Sequence, residues 1–435
     1  MRETGASTGQ RLLWLAERYR GDGGALNVFS CFRIVGHLDR SVLQLAIVDL
    51  VHRHEILRTT LHRQERELVQ RVHPPVDVAA RILRAEDRIP LRSADLGPEA
   101  YTRFDLGRDW PIRVGLFRST DTDHYLTLTV HHCATDGWSQ AILVRDLGAL
   151  YAWRAGLQPA PLPVKAQYSE FAVSERQRHE EARDERDIAY WTGELAGATP
   201  LELPADFATP TVTTSASRVM IEVPPQTIKR LHTTAQGLQA TRFSCLLAVV
   251  WAIFKTSGAR GEALPTMFAN RTRRDFQDTV GFIANVLMLR LPDVDEHITF
   301  AQLVAAVQHK ILRAMMHQNV DYHVVPAVVG RTASRAPLSL LLNFSSGLRQ
   351  NLSLPGVLEI QRLELMEDAG SRYDLELHFA EYRLTDDDVR LHLSCRFSPT
   401  KLSRIEVAKL AQTLVDGLAS LPLEPDVPVA TTLRG

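Results

Sequence analysis

His131-His132-Cys133-Ala134-Thr135-Asp136-Gly137-Trp138-Ser139 lies between two different hydrophobic periods. Upstream, Tyr125-Leu126-Thr127-Leu128-Thr129-Val130 alternates as a half-buried strand does; downstream, Ala141-Ile142-Leu143-Val144 and residues 147–150 recur at roughly helical spacing. The stretch is therefore a strand-to-helix corner. Counting by two places Leu126, Leu128, Val130 and His132 on one face, and Tyr125, Thr127, Thr129 and His131 on the other. Two adjacent histidines on opposite faces are poorly placed to share one metal ion.

Imidazole takes and returns a proton near neutral pH, and a histidine at the end of a rigid strand is held in place. Asp136 stands where the helix begins. Its carboxylate reads either as a simple N-cap or as a brace pairing with a cation from elsewhere, and Gly137 reads as the residue that eases the turn. For His132 alone the bland reading, a satisfied core histidine, is the stronger one. The whole string shifts the balance toward chemistry.

The chain has 435 residues, 45% hydrophobic and 23% charged, which are ordinary globular values for a protein of about two domains. A formal net charge of -1 gives no support for a nucleic-acid partner. Cys31, Cys133, Cys245 and Cys395 are widely scattered and suit reduced thiols rather than a disulfide framework. Residues 1–8 are too polar for a signal peptide, and the most apolar helical stretch, 246–254, is far shorter than a membrane span. These features predict a soluble cytoplasmic protein without stable membrane insertion. A zinc hydrolase is the weakest enzymatic reading, since HExxH and clustered Cys/His spacing are absent.

Along the chain, patterning predicts a helix opening at Ser7 or Thr8, a strand over 28–35 and a helix over 39–51. Residues 63–72 read as one surface strand. Residues 111–117 and 125–130 read as a hairpin joined through the polar turn 119–123, which would present both histidines at a sheet end. Residues 175–195 form a charged helix bridging two lobes, divided at about residue 180. Beyond it come a strand over 217–223, helices over 225–236 and 242–256, and a strand running into the basic cluster Arg271, Arg273 and Arg274. A helix over 300–316, strands over 340–344 and 389–397 and a closing helix over 399–421 complete the pattern.

The string HHCATDG resembles the HHxxxDG signature of the condensation domains of non-ribosomal peptide synthetases, which belong to the chloramphenicol acetyltransferase-like superfamily. Other stretches resemble this family in its order. Residues 53–59 match RHExLRT, and 168–174 resemble YxDFAxW with Glu170 and Ser174 as departures. Asn270-Arg271 resembles the family's GR element with asparagine for glycine, 280–287 resemble GFFVNT, and 331–338 resemble RDxSRxPL with Thr332 for aspartate. At the start, 7–14 resemble SxAQxRxW, with Leu12 in the arginine position.

The resemblance implies an α/β (α+β) fold of two chloramphenicol acetyltransferase-like lobes, 1–180 and 181–435, forming a V-shaped pseudo-dimer with a central tunnel. It implies His132 as the catalytic residue, with His131, Asp136, Gly137 and Arg271 supporting the corner. Arg271 would reach Asp136 as an ion pair spanning the lobes. Trp138, Ser139, Phe282, Asn285 and Ser334 would be tunnel-lining or substrate-adjacent, the side chain of Asn285 serving structure and its backbone lying near substrate. No metal and no tightly bound cofactor are implied. An acyl or peptidyl carrier protein would bring the acyl donor on its phosphopantetheine arm to a free or carrier-bound amine or alcohol.

Nothing is left over for an adenylation, thioesterase or carrier domain, so the expectation is a free-standing, monomeric condensation enzyme of natural-product biosynthesis. The competing readings are a coenzyme A dependent wax-ester or diacylglycerol-type O-acyltransferase, an epimerase-like relative, and a non-catalytic carrier-recruiting module. The last would ordinarily lose the second histidine or the corner aspartate, and both His132 and Asp136 are present.

Overall fold

The computed structural model describes residues 1–435 except 21–23, 25, 88–97, 181–183, 204–216, 296, 321–338, 348–351, 364–372, 384–388, 423–425 and 430–435. The chain divides into two units. The first comprises Met1–Glu181, Arg271–Ala284 and Arg349–Ala369; the second comprises Ala182–Asn270, Asn285–Leu348 and Gly370–Gly435. Two contiguous lobes split at residue 180 do not describe this division, because the C-terminal half returns two segments to the first unit. One of them is the strand Val357–Leu363, which pairs antiparallel with Asn27–Gly36.

In the first unit a five-stranded sheet runs in the order Val357–Leu363, Asn27–Gly36, Asp123–His131, Ile112–Thr120, Leu83–Glu86. The expected hairpin is present: Ile112–Thr120 and Asp123–His131 pair antiparallel, with Ile112 opposite Val130 and Thr120 opposite Asp123. The histidine strand is central, held on its other side by Asn27–Gly36 with Asn27 opposite His131. Leu126, Leu128 and Val130 alternate into the main core with Leu43, Ile47 and Leu50 of helix Arg40–Arg53 and Leu143, Leu147 and Leu150 of helix Gly137–Arg154. Each such side chain contributes about 1.5–3 kcal/mol on full burial. A second small sheet pairs Arg2–Gly5, Glu67–Val72 and Thr59–Gln64. The single surface strand expected over 63–72 is instead a hairpin, turned at Glu65, whose φ of 51° places it in the left-handed region.

His54 is buried, and its Nε2 lies 2.9 Å from Oδ2 of Asp146 on helix Gly137–Arg154, while Arg53 Nε donates to the same oxygen at 2.6 Å. Burial lowers the His54 pKa, opposed by Asp146. A cross-link between the two core helices results.

The second unit has a six-stranded sheet in the order Asn285–Arg290, Ala263–Phe268, Leu340–Ser346, Leu375–Arg383, Val389–Phe397, Ser217–Glu222. Leu340–Ser346 is parallel to both neighbours; the other pairings are antiparallel. Helix Arg242–Thr256 is buried continuously from Ser244 to Phe254, as an all-round apolar core helix must be. Helices Pro225–Gly237, Phe300–Met316 and Arg404–Ala419 add their apolar residues to the same core. In the charged stretch expected as one bridging helix, the described residues carry helices Tyr168–Glu180 and Asp184–Glu194, and residues 181–183 lie outside them. Among the described residues no single helix is long and apolar enough to cross a membrane.

Candidate active site

The strand ends at His131, and His132 opens a short 3-10 turn over His132–Ala134. Face alternation therefore stops one residue before the sequence count assumed. The cause is local: Nδ1 of His131 accepts the Cys133 N–H at 3.1 Å and so caps the turn, while the His132 N–H still bonds to the Leu26 carbonyl at 2.7 Å. His131 is wholly buried. Because its Nδ1 accepts, its single proton as a neutral ring sits on Nε2, which lies 2.6 Å from a carboxylate oxygen of Glu17.

His132 carries the opposite tautomer. Its Nδ1 lies 2.8 Å from the carbonyl oxygen of Thr135, which can only accept, so Nδ1 holds the proton and Nε2 holds the lone pair. The ring meets the edge of Phe282 with centroids 5.2 Å apart and planes at 84°. Phe282 itself is seated over Gly9, where a Cβ would stand 2.5 Å from its ring. Neighbouring Cys133 is buried, and burial pushes its thiol well above the ordinary range, so it stays a neutral thiol and no nucleophile.

Asp136 is both an N-cap and a brace. Its Oδ1 accepts the Ser139 N–H at 2.7 Å, and its Oδ2 accepts the N–H groups of Ile283 and Ala284 at 3.0 and 3.1 Å. The Arg271 guanidinium donates to Oδ1 and Oδ2 at 3.1 and 3.3 Å, with side-chain exposures of only 2% and 3% for the pair. Burial pushes the Asp136 carboxyl up, but Arg271 and the N–H donors outweigh it and hold the pKa below its ordinary value. Arg271 also donates to the carbonyls of Phe276 and Thr279, at 2.7 Å each. Segment Arg271–Ala284 belongs to the first unit, so the expected ion pair spanning two lobes is a pair internal to one. The residue before it, Asn270, has φ 53°, which explains the asparagine standing for glycine: both tolerate the left-handed region.

Trp138, Ser139 and Asn285, expected to line a tunnel or lie near substrate, make bonds of their own. Ser139 is fully buried, donating to the Gly281 carbonyl at 2.8 Å and accepting from Gly281 N and Arg271 at 3.1 and 2.8 Å. It ties the helix start to the returning segment. Trp138 gives its indole N–H to the Gln277 carbonyl at 3.0 Å. Asn285 is buried in the second unit, where its amide donates to the carbonyls of Gln318 and Val320 at 3.0 and 3.1 Å. Ser334, with all of 331–338, lies outside the described residues. Gly137 does not ease the turn through an unusual φ; a Cβ there would meet nothing within 4 Å. Neither backbone freedom nor a close approach calls for glycine at this position.

Glu17, the Thr135 carbonyl and Tyr168 were not identified as parts of the corner. Tyr168 donates its hydroxyl to the Phe282 carbonyl at 2.8 Å and is bonded to Ser7 at 2.7 Å, holding the returning segment. Its place in the YxDFAxW match was the available signal; Glu17 and a backbone carbonyl gave none. Among the described residues no three His, Cys, Asp or Glu side chains come together as a metal site.

The structure thus places the HHxxxDG signature at a braced strand-to-helix corner of a mixed α/β fold. The Condensation domain family model matches residues 2–433, and the chain belongs to the condensation-domain family. Chondramide synthase cmdD of Chondromyces crocatus is 31% identical over 363 residues, covering 81% of this chain and 9% of its own length. The chain spans only 3–13% of the length of the curated relatives it matches. The X-domain from teicoplanin biosynthesis is 26% identical, with a TM-score of 0.80 over 98% of this chain and 96% of that one. The first condensation domain of the calcium-dependent antibiotic synthetase, solved with a substrate analogue, shares the fold at TM-score 0.81 and 23% identity, covering 99% of both chains. Domains of this family are amide- or ester-forming condensation enzymes acting on phosphopantetheine-bound substrates.

Proposed function

We propose that this chain transfers an acyl or aminoacyl group from the phosphopantetheine thioester of a carrier protein to an amine or hydroxyl acceptor, with His132 Nε2 as the base. The supporting observation is the hydrogen bond from His132 Nδ1 to the Thr135 carbonyl, which leaves the lone pair on Nε2. The acceptor nitrogen or oxygen attacks the thioester carbonyl carbon and gives its proton to Nε2. The oxyanion so formed collapses, the carbon–sulfur bond breaks, and the imidazolium returns the proton to the departing sulfur. The positive end of helix Gly137–Arg154, which begins five residues after His132, favours the developing negative charge. Approximation of two bound groups supplies a further share of the rate.

Asp136 and Arg271 keep the corner rigid, His131 caps the turn, and Phe282 borders the His132 ring. The pantetheine arm arrives with the partner, so the chain holds no tight cofactor of its own. It works as a cytoplasmic monomer, in keeping with four free, buried cysteines. The product is an amide or ester in natural-product assembly.

The test is intact-mass analysis of an acyl-loaded carrier incubated with the protein and a panel of amines and alcohols, run beside the same acyl group on coenzyme A. Mass transfer to an amine or alcohol from the carrier, at rates well above those from coenzyme A, supports the assignment. Preference for coenzyme A with long-chain alcohols moves it to the wax-ester class. A second reading, a partner-recruiting module, draws on the X-domain of teicoplanin biosynthesis, which has been solved as a complex with OxyB. Stable carrier binding with no transfer to any acceptor would favour that reading.

A further inference from the structure

We infer that Glu17 is a positioning residue for the proposed reaction: it fixes the tautomer of His131, and through it the turn that carries His132. Glu17 sits on helix Thr8–Arg20, with a side chain only 7% exposed. It lies at the wall of a cleft of about 500 Å³ that Trp14, Arg18, Arg103 and the loop Phe104–Gly107 also line. One carboxylate oxygen meets His131 Nε2 at 2.6 Å; the other meets Arg103 Nε at 3.2 Å. Arg103 also donates to the Glu17 backbone carbonyl at 3.2 Å. The guanidinium therefore holds both ends of the residue that faces the histidine.

A neutral imidazole has one proton and two nitrogens, and at His131 both nitrogens are committed. Nδ1 must be bare, because it receives the Cys133 N–H that caps the His132–Ala134 turn. Nε2 must then carry the proton, and a buried N–H needs an acceptor. Glu17 is that acceptor. Phe104 flanks the His131 ring in a T-shaped contact at 6.0 Å and 83°, and Phe104 is itself covered by the Arg113 guanidinium at 3.7 Å. Were Glu17 replaced by an apolar residue, the proton would gain by moving to Nδ1 or the ring by turning. The first sets a donor against the Cys133 N–H, the second removes its acceptor, and either loosens the turn that aims His132.

This inference rests on the assignment of His132 as base, and its experiment separates the two. Histidine-selective 15N labelling reads the His131 tautomer without any substrate, the resonance being assigned by its absence in His131→Asn. The expected result is a bare Nδ1 and a protonated Nε2 in the wild type and in Glu17→Gln, whose side-chain oxygen still accepts. In Glu17→Met the signal should move toward the other tautomer or average between them. In turnover with a productive donor and acceptor from the panel above, Glu17→Met should lower kcat at least tenfold with KM within twofold. Glu17→Gln and Arg103→Gln should stay within about threefold of wild type. A purely structural ion pair would instead make Glu17→Gln and Arg103→Gln as damaging as Glu17→Met, and that outcome overturns the inference. A wild-type His131 with its proton on Nδ1 overturns it at once, even if Glu17→Met does not fold. An active His132→Ala variant would refute the base assignment and leave the tautomer result standing.

Discussion

Replacing Asp136 by Asn, Arg271 by Met, and both together forms a double-mutant cycle on the brace of the catalytic corner. The two side chains are 3% and 2% exposed and make a two-oxygen contact at 3.1 and 3.3 Å. Removing one partner of such a buried pair strands a charge and costs about 3–5 kcal/mol. Asp136→Asn keeps the shape, yet its amide must turn an NH2 group toward either the Ser139 N–H or the N–H groups of Ile283 and Ala284. Arg271→Met leaves the carboxylate to three backbone donors and strips the Phe276 and Thr279 carbonyls of theirs. The double variant carries no stranded charge, so its loss should fall short of the sum of the single losses by about 1–3 kcal/mol. At about 2–4 °C per kcal/mol for a unit of this size, each single variant should lower Tm by roughly 6–20 °C. Differential scanning calorimetry with urea titrations at pH 7 reads the cycle. Additivity within about 0.5 kcal/mol would refute the pair as a coupled brace.

Three further outcomes are expected. Because burial depresses the His54 pKa below its ordinary value of 6.5, the neutral ring's contribution to stability is present above about 6.5 and lost as pH falls toward the folded-state value. Partial burial of His62 and His73 and burial of His124 act in the same sense, so Tm should fall from pH 7 to pH 5, with a shallower slope in His54→Gln; an unchanged slope counts against the sign assigned to His54. At Asn270, φ 53° predicts that Asn270→Gly keeps or gains stability while Asn270→Val loses about 1–2 kcal/mol, measured by urea unfolding; equal losses would contradict it. Gly281→Ala would set a Cβ 1.9 Å from the Tyr168 ring and should cost about 1–3 kcal/mol or more, whereas Gly137→Ala, with nothing within 4 Å, should leave Tm within a degree or two.

The hairpin that delivers the histidines was legible because its two strands alternate and its turn is polar, so the pattern needs no distant partner. The core helices were legible for the same reason: the run Ser244–Phe254 has only one stable home, an interior. What the sequence hid is long-range or confined to the backbone. Val357–Leu363 is a strand of the first sheet that begins 225 residues after His132, and nothing in its own residues names Asn27–Gly36 as its neighbour. Ser139 read as substrate-facing because of its place beside the signature; its burial follows from Gly281 and Arg271 arriving from another segment. The tautomer of His132 depends on a carbonyl, which every residue carries, so no side-chain pattern announces it. Glu17 lies 114 residues from His131 in a helix whose charged face looks ordinary.

The central claim is that His132 performs the proton transfer, and His132→Ala in single turnover tests it most directly. Acyl-loaded carrier and acceptor are mixed with excess enzyme, and the carrier's intact mass is followed in time. The expected rate is lower by about 10²–10⁴-fold with Tm within a few degrees of wild type, since the ring is only half-buried. A His132→Ala variant that transfers the acyl group within threefold of the wild-type rate, at saturating donor and acceptor, would contradict it.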